Sequence, residues 1–175
     1  VVSIGRFDQW KNFSTLIEAL AVLRDQGRFV RLAILGDGPL RPELEQLVAS
    51  LKLGDRVDLP GFVPDVMRWL ARADIFVSAS LYEGQPNAVL EAAAAGVPTV
   101  LSRIEEHLEL MEKAALFADA HNPRDFAGGI ARLLDDSATA SALAQAAYAR
   151  VMQQSVEAVA SQYIESYQKL IRGGG

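Results

Sequence analysis

The chain contains no cysteine in 175 residues. That excludes disulfides, thiolate nucleophiles and cysteine-held metals at once, and it suits a cytosolic protein. Aromatic residues are scarce, at 7%, and histidine is limited to His107 and His121. With no D-x-D pair and no histidine cluster, the sequence offers no ligand set for a metal ion. Asp135-Asp136 reads as a solvated helix end. A basic excess is also missing: 17 Lys and Arg face 22 Asp and Glu, for a formal net charge of −5. The cations are scattered singly, without the stripe that replaces counterions on phosphates, so nucleic acid is excluded as a partner. No uninterrupted apolar run approaches the roughly 18 residues of a spanning helix. The best stretch, 88–101, is broken by Glu91, Gly96 and Pro98. A basic leader is lacking as well.

What is present is a globular composition, 50% hydrophobic and 22% charged, at a length that fits one domain. Val1 falls inside what reads as a strand, and the chain ends in Gly173-Gly174-Gly175, a flexible or added tail. Both ends suggest a piece excised from something larger.

Strand and helix signals alternate. VVSIG (1–5) is a short apolar run closed by glycine. Phe13, Leu16, Ile17, Leu20 and Leu23 then recur at helical steps up to Gly27. FVRLAILG (29–36) is the next strand, and GDGP (36–39) a turn in which Asp37 or Gly38 caps a helix carrying Leu44, Leu47, Val48 and Leu51. RVDLPG (56–61), IFVSAS (75–80), VPTVLS (97–102) and AALFA (114–118) supply further strands. Between them lie a short helix with Val66, Leu70 and Ala73, and an alanine-rich one from about Pro86 to Ala95. Phe126, Ile130, Leu133 and Leu134 line a late helix, and Val156, Val159, Tyr163, Ile164, Tyr167 and Leu170 another. Gly128-Gly129 weakens the first of these by about 1 kcal/mol per glycine. Non-alternating apolar strands separated by helices indicate a parallel sheet covered on both faces, an α/β doubly wound Rossmann-like fold in a single domain over 1–175.

Ligands in such sheets sit at the carboxyl ends of the strands, so the informative segments are 5–12, 36–39, 60–65, 80–87 and 102–107. In the first, Gly5 permits close backbone approach, while Arg6 and Lys11 offer a planar fork and a mobile point charge suited to a diphosphate. Taken alone, such a pair is more simply two solvated residues at a helix start. No G-x-G-x-x-G follows the strand, which weakens a dinucleotide reading. In the fourth, S-L-Y-E-G-Q-P-N-A-V-L-E, Gly84 and Pro86 frame a helix N-terminus whose free N–H groups form an anion site. Glu83 and Glu91 straddle it. Each is displaced from the phosphate position and free to accept from a vicinal diol, the layout of a nucleotide-sugar. Glu91 lies among Ala88, Val89, Leu90 and Ala92–Ala95, where a carboxylate needs a partner. Trp10 and Trp69 read as packing residues, and His107 as solvated.

With these loops in view, the chain resembles the C-terminal domain of family-4 (group 1) retaining glycosyltransferases of the GT-B architecture. The resemblance rests on GRFDQWKNFSTLIEAL, LAILGDGPLRPELE, VDLPGFVPDVMRWLARADIFVSAS and EGQPNAVLEAAAAGVPTVLS, in that order along the chain. It implies that Arg6 and Lys11 hold the donor diphosphate and that Glu83, the first glutamate of an E-x7-E motif, meets donor-sugar hydroxyls. Glu91, the second, would accept from the ribose. Backbone amides of Gln85, Asn87 and Ala88, beside Gly84, would face the sugar and phosphates. Phe62 and Val63 would flank the base, and Gly5 and Gly36 line the same pocket. It further implies a nucleotide diphosphate sugar as substrate, no metal or other cofactor, and an N-terminal acceptor domain of the same chain as partner. Peripheral association with the cytoplasmic membrane face through that domain stays open. Where the family often has a proline-containing turn, this chain has RIEEHLELM. A nucleotide-sugar epimerase or phosphorylase half of the same fold is an alternative, although Lys113 and Lys169 are poorly placed for a pyridoxal group. A non-catalytic interaction module is another.

Overall fold

The computed structural model describes residues 1–153. The apolar positions 156–170, Lys169 and the triglycine end therefore lie outside the described residues. Within them the order is β1 (Val2–Ile4), α1 (Phe13–Asp25), β2 (Leu32–Leu35), α2 (Arg41–Ser50), β3 (Val57–Gly61), α3 (Val66–Leu70) and β4 (Phe76–Ser78). There follow α4 (Asn87–Ala94), β5 (Thr99–Ser102), α5 (Glu105–Met111), β6 (Leu116–Ala118), α6 (Pro123–Asp135) and α7 (Ser137–Met152). All strand pairs are parallel, in the order β3-β2-β1-β4-β5-β6. This is the doubly wound Rossmann order, with its reversal point between β1 and β4.

Burial of every residue of β2 explains why the strand does not alternate. Leu32 and Ile34 enter the core under α1, α2 and α6, whereas Ala33 and Leu35 enter the one under α3, α4 and α7. Helix α1 buries Phe13, Leu16, Ile17, Leu20 and Leu23 along one stripe, each contributing about 1.5–3 kcal/mol. Gly27 then ends the helix at φ 75°. Against the other face, α4 packs on α7.

Several sequence expectations need correction. The strand read at 29–36 is confined to Leu32–Leu35, and Phe29 is exposed with the Arg56 guanidinium 4.8 Å from its ring centre. GDGP does not cap α2, which starts at Arg41; Asp37 accepts from its neighbour Gly38 N and from Arg41 Nε instead. RIEEHLELM, for which no element was assigned, carries α5 from Glu105 to Met111, with Ile104, His107, Leu108 and Met111 at helical spacing. Leu134 of α6 is exposed. Gly129 has a packing reason: a Cβ there would lie 2.8 Å from Val100 Cγ1, so glycine lets α6 settle onto β5. Gly128 faces open space.

Candidate functional site

Strands β1 and β4 share one register pair, Val2 with Phe76, supplemented by Ser3 Oγ donating to Val77 O at 2.7 Å. Beyond it the chain leaves each strand into the loops 5–12 and 79–86, which meet across the reversal point of the sheet. Leu81 N donates to Trp10 O at 2.8 Å. Asn12 sits in the left-handed region at φ 50°, a conformation that asparagine tolerates better than most residues. Its Nδ2 donates to Ala79 O at 3.3 Å and to Ala120 O at 2.7 Å, tying three post-strand loops together.

Glycines allow the first two loops to interlock. A Cβ on Gly36, whose φ is 139°, would lie 1.9 Å from Gly5 O, and one on Gly38 2.6 Å from Phe7 O. Phe7 N donates to Asp37 O, and Leu40 N to Phe7 O. Gly5 leaves room of another kind, because the aliphatic stem of Lys11 runs 3.1–3.2 Å from where its Cβ would be. Gly5, Arg6, Gly36, Phe62 and Val63 line one cavity of about 330 Å³ with Val66 and Asp37. Residues 83–91 do not line it. A larger hollow of about 740 Å³ lies beside α3, between Arg31, Asp58 and Trp69, and shares only Val63 with the site.

Lys11 reaches from this cavity edge to Glu83. Its Nζ lies 2.6 Å from Oε1 and 2.8 Å from Oε2, with Glu83 buried and Lys11 part-buried. Ser80 Oγ donates to Glu83 Oε1 at 2.7 Å and lies 3.1 Å from Ser78 Oγ. Ser102 Oγ donates to Ser80 O at 2.6 Å and lies 3.1 Å from His107 Nδ1. His107, expected to be solvated, is fully buried. Burial pushes its pKa below the ordinary 6.5, against a weaker upward pull from its Ser102 backbone bond and from Glu83 and Glu106. Its Nε2 has no hydrogen-bond partner among the described residues. Sequence reading missed Ser80, Ser102 and Asn12.

Helix α4 begins at Asn87 with no side-chain cap. Asn87 N donates to Gln85 O at 2.9 Å, so this amide is not a free donor. Those of Gln85, before the helix, and Ala88, in its first turn, have no acceptor among the described residues, and that of Ala88 carries the partial positive charge of the helix start. Glu91, five residues along the helix, is half-buried and has no ion pair or hydrogen bond to its carboxylate among the described residues. Arg6 is exposed, and its guanidinium is equally unengaged among them. Trp10 is not a buried packing residue: it is exposed, with its ring edge-on to exposed Tyr82 at 6.4 Å. Trp69 packs against the α4 core as expected. Among the described residues no three His, Asp or Glu side chains converge, and no helix is long and apolar enough to cross a membrane.

A family model described as Glycosyl transferases group 1 matches residues 1–136. Lipopolysaccharide core biosynthesis glycosyltransferase LpsE of Rhizobium meliloti is 34% identical over 168 residues, 94% of this chain and 48% of LpsE. The chain spans less than half the length of this and other curated relatives it matches. HepE of Anabaena, solved in complex with UDP, superposes with a TM-score of 0.84 at 25% identity, covering 96% of this chain and 48% of HepE. HepE has also been solved with UDP-glucose. The C-terminal domain of a group 1 family protein from Francisella tularensis shares the fold, with a TM-score of 0.76 at 24% identity over 87% of this chain and 84% of that domain.

Proposed function

Because the chain belongs to the group 1 glycosyl transferases, we propose that it is the donor-binding domain of a metal-independent, retaining glycosyltransferase. The parent protein would move a hexose-type sugar from a nucleotide diphosphate to an acceptor hydroxyl. One observation carries this reading: at the reversal point of the sheet, the Lys11–Glu83 pair stands beside an open helix N-terminus. A cation, the amides of Gln85 and Ala88 and a carboxylate thus converge where this fold takes its ligands.

Arg6, Lys11 and the amides of Gln85 and Ala88 face the diphosphate, with Gly84 giving it access. They stabilise the charge that grows on it as the sugar leaves, the electrostatic role a metal takes elsewhere. Glu83 accepts from sugar hydroxyls. Glu91, half-buried and unpaired among the described residues, accepts from the ribose. Asn87 contributes position rather than its amide, and the cavity of Gly5, Gly36, Phe62 and Val63 holds the base. The bond from anomeric carbon to phosphate oxygen breaks, the acceptor oxygen bonds to the same face, and its proton passes to the leaving phosphate. The acceptor is bound by an N-terminal domain, which also provides any association with the cytoplasmic face of a membrane. The 175-residue chain alone binds donor without turning it over. UDP in HepE makes a uridine donor the first to test.

The test is thermal unfolding with UDP, GDP and ADP. A nucleotide at 100 times its Kd stabilises by about 2.7 kcal/mol. A chain that ignores all three at millimolar concentration is an interaction module, not a donor domain. Nucleotide binding unchanged in Glu91→Ala removes the ribose role, and equal loss of diphosphate and nucleoside binding in Arg6→Ala removes the phosphate role.

A further inference from the structure

We propose that Ser80 is a positioning residue that keeps the Glu83 carboxylate aimed at the donor sugar once Lys11 has turned to the diphosphate; this rests on the donor-binding reading above. The argument starts from proton accounting. A carboxylate only accepts, so the single Ser80 hydroxyl proton points to Glu83 Oε1, 2.7 Å away. Ser78 Oγ, at 3.1 Å, must then donate to Ser80. The two hydroxyls form a chain polarised toward the carboxylate, and each bond strengthens the next.

The same accounting fixes the support behind it. Ser80 O accepts the only proton of Ser102 Oγ, at 2.6 Å. His107 Nδ1 lies 3.1 Å from both Ser102 Oγ and Ser102 O, which leaves it as the donor. Neutral His107 thus carries its proton on Nδ1. Ser78, Ser80, Ser102 and His107 are all buried, so water does not compete for these bonds.

Glu83 is held asymmetrically. Among the described residues Oε1 has two partners, Lys11 and Ser80, whereas Oε2 has only Lys11, at 2.8 Å. Lys11 is the mobile member, with a flexible stem lying along Gly5 and a part-exposed ammonium on Glu83. When a diphosphate draws that ammonium away, Oε2 is released to accept from a sugar hydroxyl. Ser80 keeps Oε1, so the carboxylate neither follows the lysine nor turns to solvent. The sugar, not the nucleotide, is what this bond serves.

Calorimetry on the 175-residue chain tests this, comparing UDP with UDP-glucose and GDP with GDP-mannose. Ser80→Ala should leave the diphosphate within about twofold and weaken the sugar nucleotide about tenfold, the usual scale for a hydrogen bond to a charged group. The same loss relative to the diphosphate should appear in Glu83→Gln, and the double variant should add little to either. Equal weakening of both ligands, or of neither, overturns the positioning role. Ser80→Cys, close in size and a weaker donor, should give the same split at smaller amplitude if Ser80→Ala does not fold, and no split there is equally decisive. Failure of the unaltered chain to bind UDP, GDP and ADP alike overturns the donor-binding reading, and this inference with it.

Discussion

The ammonium of Lys11 meets both carboxylate oxygens of Glu83, at 2.6 and 2.8 Å, across 72 positions of sequence. In the ligand-free chain the most buried charge of the site is therefore neutralised internally. An incoming diphosphate competes with Glu83 for Lys11 rather than meeting an idle cation.

Removing one partner should expose the cost of that arrangement. Lys11→Ala leaves a buried carboxylate with only Ser80, and should destabilise the chain by about 2–3 kcal/mol, below the 3–5 of a fully buried pair because Lys11 is partly solvated. Glu83→Gln keeps the shape and an acceptor for Ser80, and should cost about 1 kcal/mol. Urea midpoints measure both; two unchanged midpoints would mean that the pair is solvated.

His107 predicts a pH dependence whose sign follows from burial. Its folded pKa lies below the ordinary 6.5, so the unfolded chain takes up the proton first. The stabilisation is complete above the unfolded pKa and drains away as pH falls from there through the folded value. Unfolding free energy should thus decline between about pH 7 and 5, and His107→Asn should flatten that decline. Asp37, Asp135 and Asp136, whose pKa values are lowered by their hydrogen bonds, act only below about pH 4. An equal slope in the variant would assign the decline to other groups.

Two glycines with positive φ should separate strain from crowding. Gly27 has open space around its missing Cβ, whereas that of Gly36 would fall on Gly5 O. Gly27→Ala should cost about 1 kcal/mol. Gly36→Ala adds displacement of the first loop, and should cost on the order of 3 kcal/mol along with nucleotide affinity. Similar losses for the two, by chemical denaturation, would mean that the loops adjust freely.

Asn12→Asp keeps the acceptor for Thr15 and Ser14 but loses the donors to Ala79 and Ala120. It should cost about 1–3 kcal/mol and raise hydrogen exchange in the loops after β4 and β6 as well as its own. Exchange confined to residues 8–12 would contradict the tie.

The doubly wound sheet was legible because β2, β4 and β5 are short apolar runs between helical spacers. The placement of Glu83 and Glu91 about α4 was legible from Gly84, Pro86 and the alanine run. The buried support was not, since Ser78, Ser80 and Ser102 are common residues with no informative spacing. Their meaning arises where β4 and β5 lie side by side. His107 is buried despite its glutamate neighbours because positions 104, 107, 108 and 111 follow the helical period and turn it inward. The pairing of Lys11 with Glu83 depends on β1 lying next to β4, an adjacency that local sequence patterns do not carry.

The single register pair between β1 and β4 has a mechanical consequence. The sheet is two three-stranded leaves stitched along a seam by Val2, Phe76 and the Ser3–Val77 bond. Lys11 and Arg6 hang from one leaf, and α4 with Glu83 from the other. A molecule gripped by both becomes a clasp across the seam with the fewest paired strand residues, and should slow exchange at Val2 and Val77, well beneath its own footprint.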